Sequence, residues 1–188
     1  MTATRPPGGS AITDRPLAGA PHPDHPLHWK LYGCEMVATM VLMLCGIVSV
    51  TLLTTPQTPV GRMLAPHPVI QTMLCGLFFG LAGTVAAYTP FGRVSGAHVS
   101  PSVSLAFSLA RRLGWVDLCG YVAAQMLGAC LAAVLLAGVG HVLPVWGKMA
   151  QDATFAATVP FSGVAVVWPL VTEMVLTCLR VIMLCALA

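Results

Sequence analysis

Charge is what this sequence has least of. Nine lysines and arginines and six aspartates and glutamates make up 8% of its 188 residues, against roughly a quarter in an ordinary soluble domain. That shortage excludes a conventional water-soluble globule. The net charge is only +3, and the basic residues are scattered rather than interleaved with aromatics, so no nucleic-acid footprint is expected. Paired cysteine motifs are missing too. The seven cysteines, Cys34, Cys45, Cys75, Cys119, Cys130, Cys178 and Cys185, lie in or beside apolar runs with no CxxC spacing, which argues against a disulfide framework or a metal site and for small packing residues. No nucleophile, base and orienting group share a plausible site, so neither an enzyme nor a cofactor is expected.

What the chain has instead is 57% hydrophobic residues and a mean hydropathy of +0.84. Residues 1–28 are rich in Pro and Gly and contain no apolar run, so they are expected to form a disordered tail. His22, His25 and His28 in that tail have a metal-like spacing, but the intervening prolines rule out a helix that would converge them. No secretory signal precedes the first apolar segment. Four apolar segments are then long enough to cross a bilayer, which needs about 20 helical residues: Leu31–Leu53, Val69–Tyr88, Leu118–Val139 and Val166–Ala188. With four spans, Arg5, Arg15, Lys30, Arg93, Arg111 and Arg112 share one side and Arg62 and Lys148 the other, which puts the N-terminus in the cytoplasm of a cell (plasma or inner) membrane protein.

An acidic residue inside a span is expensive, and this chain carries one at the same place twice. "EMVAT" at Glu35–Thr39 returns as "EMVLT" at Glu173–Thr177, an offset of 138 residues (173 − 35). The two spans start on opposite sides, so the copies read as inverted repeats.

Between the second and third spans the apolar pattern breaks into "SGAHVSPSVSLAFSLARR", residues 95–112. Ser100 followed by Pro101 is a favoured start for a helix, and the apolar stripe that follows is about half the length needed to cross. The segment must therefore enter and leave on one side as a half-helix, residues 100–110. Backbone that is not helical at membrane depth is tolerated only where protein buries it or where it lines a watery cavity. The free N–H groups at the start of the half-helix aim a positive dipole end at mid-membrane, which repels cations.

"SGAHVSPSVSLA" resembles the SGAHxNPAVTxA signature of the aquaporins and aquaglyceroporins, and "GYVAAQMLGACLAA" (Gly120–Ala133) is similar to that family's third span. The resemblance implies an all-α bundle of six spans and two half-helices, usually a homotetramer in the lipid bilayer with one pore per subunit, passing water or a small neutral solute such as glycerol. On this sequence it implies backbone carbonyls of Gly96, Ala97 and His98 along the path, Ser100, Pro101 and Ser102 at the meeting point of the half-helices, and Phe79 at the outer constriction. It further implies that Glu35, Gln125 and Glu173 are buried polar braces. Packing is the rival reading for Phe79, a proton shuttle the rival for His98. Ser100 stands where the family has asparagine, and a hydroxyl lacks the two donors of an amide. Arg180 falls about halfway along the last span. Adding 138 to position 100 puts the second half-helix near 238, beyond Ala188, so the expected organisation is a first repeat at 29–140, a connecting loop at 141–165 and a truncated second repeat at 166–188. The expected function is a passive channel, incomplete as it stands; the alternative is a non-conducting membrane subunit or a truncated product without channel activity.

Overall fold

The computed structural model describes residues 27–157 and 167–187, and these form helices joined by turns, with no strand among the described residues. Three helices dominate: α1 (Trp29–Thr54), α3 (Pro68–Tyr88) and α6 (Trp115–Val142). Each is long and apolar enough to cross a membrane; at about 1.5 Å per residue the shortest still spans a hydrocarbon core of about 30 Å. Shorter helices join or flank them: α2 (Pro59–Leu64), α4 (Pro90–Ser95), α5 (Pro101–Leu109) and α7 (Pro144–Asp152). The last helix is α8 (Val167–Leu187), as long as α3, where the sequence expects a fourth span. The side chain of Arg180 and most of the histidine-bearing tail lie outside the described residues.

Proline sets many of these boundaries. Pro59, Pro68, Pro90, Pro101 and Pro144 each occupy the first turn of their helix, where the missing N–H costs nothing. Pro90 also ends α3, because it holds Thr89 extended at φ −61° and ψ 154°. Thr89 then caps α4, its hydroxyl accepting from the Gly92 N–H at 3.0 Å.

α1 is the central post, with α3 on one side and α6 on the other. It runs parallel to α6, since Tyr32 meets Gly120 and Met36 meets Gly128. It runs antiparallel to α3, since Leu42 meets Gly83 and the Gln71 side-chain amide donates to the Leu53 carbonyl at 2.9 Å. At Gly128 the α1 and α6 backbones come so close that a Cβ would lie 2.3 Å from the Met36 carbonyl oxygen. Only glycine fits there. Outward, α3 and α6 expose Met73, Leu77, Leu81, Leu127, Leu131 and Val134, a surface suited to hydrocarbon and not to water. The protein is an all-α, multi-pass membrane protein.

Within the stretch expected as a connecting loop at 141–165 the chain forms α7. Its Met149 and Ala150 are buried, and the Trp146 indole N–H donates to the Leu136 carbonyl at 3.2 Å. At the same end of the bundle Thr55, Gln57 and Asp152 form a chain of side-chain hydrogen bonds.

Candidate functional site

The segment between α4 and α6 enters the bundle and turns back. Gly96 caps α4 with φ 87°, and Ala97 and Val99 follow at φ 47° and 44°. Left-handed backbone is routine for glycine, costly for alanine and a clear outlier for a β-branched valine. Such strain persists only where surrounding contacts over-determine it. Four do so here. The Ala97 N–H donates to the Ser95 hydroxyl at 3.2 Å. The Val99 N–H donates to Glu35 Oε1. The Val99 side chain packs against the cluster of Leu42, Ala82 and Ala86. The Tyr121 hydroxyl donates to the Ser95 carbonyl at 2.7 Å.

Glu35 and Gln125 are brought together at this loop. Both are buried, and the Gln125 amide donates to Glu35 Oε1 at 2.8 Å and to the Ser104 hydroxyl at 3.0 Å. A carboxylate fixes the orientation of that amide, because only its Nε2 end donates. His98 is buried, its ring stacked on Phe107 at 4.5 Å and tilted against Tyr121 at 4.9 Å. Its Nδ1 lies 3.1 Å from the Ser104 hydroxyl. Ser104 thus joins Gln125 and His98 through one hydroxyl, which has a lone pair for the amide and either its proton or a second lone pair for the imidazole.

α5 begins deep and returns outward. Val99 and Ser104 meet residues well inside α1 and α6, whereas Phe107 and Leu113 reach Tyr32 and Leu118 near the start of those helices. Ser100 occupies the N-cap position with φ −155° and ψ 133°, as the Ser-Pro pair predicts, but its side chain makes no capping bond. Its hydroxyl pairs with that of Ser102 at 2.8 Å instead.

The other predicted residues lie apart. Phe79 sits against Gly46 between α1 and α3, 17 residues past the start of α1 (46 − 29) and so toward its far end. Glu173 is exposed on α8 and does not join Glu35, although α8 does pack on α5. Ser104 and Tyr121 were not singled out from the sequence. Tyr121 lies four residues before Gln125, on the same helical face, and that spacing is the signal that could have found it. Among the described residues no cluster of His, Cys, Asp and Glu has the arrangement to hold a metal.

Comparison with known proteins decides the family, because residues 24–188 match the Major intrinsic protein family. The chain belongs to the major intrinsic protein family. Among curated relatives, it is 39% identical over 99 residues to "Aquaporin NIP1-1" of Oryza sativa subsp. japonica, covering 53% of this chain and 31% of that one. It is 36% identical over 103 residues to "Glycerol uptake facilitator protein-like 6" of Lactiplantibacillus plantarum, covering 55% and 40%. It is 33% identical over 155 residues to "Aquaporin NIP3-1" of Zea mays, covering 82% and 47%. The chain thus spans between about a third and a half of the length of these relatives. No solved structure matches. As a major intrinsic protein it carries the re-entrant loop with serine on both sides of Pro101, and the loop is anchored through Glu35 and Gln125 on two different spans.

Proposed function

We propose that this protein is a passive transmembrane channel for water or a small neutral solute such as glycerol, not an enzyme, and that these residues supply its first re-entrant arm. The observation that carries the reading is the left-handed run at Gly96, Ala97 and Val99, held at membrane depth by buried Glu35. Backbone of this kind is tolerated where protein buries it or where it lines a polar path, and here Gly96 is exposed and Ala97 and Val99 are only half-buried, which supports the second. In the proposal, the carbonyls of Gly96, Ala97 and His98 and the hydroxyls of Ser100 and Ser102 around Pro101 face the solute, and Phe79 bounds the path in its outer half. Glu35 and Gln125 brace the loop, and Glu173 plays the same part for a second arm. The relatives named as an aquaporin and a glycerol uptake facilitator support the same class. We further propose a homotetramer in the cell membrane with the N-terminus cytoplasmic.

A half-helix supplies one positive dipole end, and inverted-repeat logic calls for two. Stopped-flow shrinkage of proteoliposomes tests the proposal. The 188-residue polypeptide alone is expected to match protein-free liposomes, and the polypeptide reconstituted with the second-repeat half of a related channel to exceed them with solute selectivity. Selective flow through the polypeptide alone would show the path complete without a second arm. No flow in either arm would favour the non-conducting subunit.

A further inference from the structure

We propose that Tyr121 is a positioning residue of the re-entrant loop, its hydroxyl and ring together holding the left-handed run that begins at Gly96. The proposal rests on the channel reading only in naming what the loop is held for.

The argument starts at the end of α4. The carbonyls of the last helical turn have no intrahelical partner, and the left-handed Gly96 turns the chain away immediately after Ser95. The Ser95 carbonyl is satisfied by Tyr121 from α6, 26 residues later, through a buried hydrogen bond of 2.7 Å. Ser95 itself is completely buried, and Tyr121 is 1% exposed, so water does not substitute for the phenol. The same ring lies against the imidazole of His98 at 4.9 Å. One side chain thus grips the loop on both sides of Gly96 and Ala97.

Tyr121 is itself fixed. The ring of Tyr32 on α1 meets it edge-on, with centroids 6.1 Å apart and planes at 80°. The Tyr32 hydroxyl donates at 2.7 Å to Asp117 Oδ1, in the first turn of α6 and one helical turn before Tyr121 on the same face. His28 Nδ1 lies 2.7 Å from that oxygen as well. The closed circuit from α6 through α1 and back to α6 leaves the Tyr121 ring no room to swing, so the loop is referenced to the two central spans.

Hydrogen exchange read by mass spectrometry, on the full chain in nanodiscs, tests this without needing flow. Tyr121→Phe keeps the ring and deletes the donor. It is expected to speed exchange of the Gly96–Val99 amides about fivefold to tenfold, as loss of one buried hydrogen bond implies, while exchange in α1 and α3 stays as in the parent. Placing p-aminophenylalanine at 121, which restores a donor, is expected to restore protection. Tyr32→Phe keeps the ring that meets Tyr121 edge-on and loosens the circuit only at its Asp117 link, so it is expected to speed loop exchange clearly less than Tyr121→Phe does, by about twofold at most. Unchanged loop exchange in Tyr121→Phe, absence of rescue, or acceleration spread over the whole bundle would each overturn the proposal, the last by showing that the tyrosine serves the bundle and not the loop. In proteoliposomes completed with a second repeat, Tyr121→Phe is also expected to change the ratio of glycerol to water permeability. If the parent carries no flow, the channel reading fails while the exchange result still judges Tyr121.

Discussion

Glu35 uses one oxygen for two jobs. Oε1 accepts from the Val99 backbone and from the Gln125 amide, so two donors from different segments converge on a single acceptor in α1. Glu35→Leu strands both donors, and an unsatisfied buried donor costs about 1–3 kcal/mol. Glu35→Gln keeps a carbonyl oxygen in the same place. Thermal unfolding in detergent is expected to show a much larger loss for leucine than for glutamine. Equal losses would mean that the charge itself matters, as in an ion or proton site. Ser100 leads to the opposite expectation. Its hydroxyl bonds Ser102 and not the helix N–H groups, so Ser100→Ala is expected to change stability by less than about 0.5 kcal/mol, against the ~1 kcal/mol typical of a lost cap. A loss above 1 kcal/mol in the same melt would show that the hydroxyl caps α5 after all.

Between helices, the closest contact is α1 against α6 at Gly128. A methyl there meets backbone rather than a movable side chain, so Gly128→Ala must part the two helices. It is expected to destabilise by at least the ~1–3 kcal/mol of an overpacked core. Gly76 on α3 has open space around its Cβ position, and Gly76→Ala is expected to be neutral or stabilising by up to about 1 kcal/mol. Matched losses for the two variants in detergent melts would refute the close approach. Spans α1, α3 and α6 were legible in the sequence because hydrocarbon demands long apolar runs, and α5 because Ser100-Pro101 starts a helix too short to cross. α7 was not. Its nine residues are mostly polar or small and too few to cross, and the local signals they carry, Pro144 at the start and an amphipathic pattern, gain weight only through the burial of Met149 and Ala150. Likewise Glu35 was legible from its cost in a span, whereas Tyr121 and Ser104 sit in unremarkable positions and gain their roles from partners such as Ser95, His98 and Gln125.

On the scale of the whole molecule, the starts of α1 and α6 and the loop arginines share one end, while Met63 and Asp152 belong to the other. The charge bias proposes the first end for the cytoplasm. In a background with the native cysteines replaced by alanine, Met63→Cys is expected to react with an impermeant maleimide on intact cells, and Arg112→Cys only after permeabilisation; both residues are exposed. The reverse pattern would invert the assignment.

The parallel pairing of α1 with α6 also fixes an order of events during synthesis. The donors to Glu35 are made 64 and 90 residues after it. At roughly 5–20 residues per second, the acid waits about 3–13 s in a nascent chain before the first donor exists and about 5–18 s before the second. An ionisable residue costs up to about 3.5 kcal/mol of insertion at the centre of a span, and less at Glu35, six residues past the start of α1 (35 − 29). The ten leucines, isoleucines and valines of α1 return about 3–6 kcal/mol on the same scale. The apolar excess of the first helix thus has a use that the finished fold no longer reveals: it keeps α1 in the bilayer while the ribosome is still making the residues that will satisfy it.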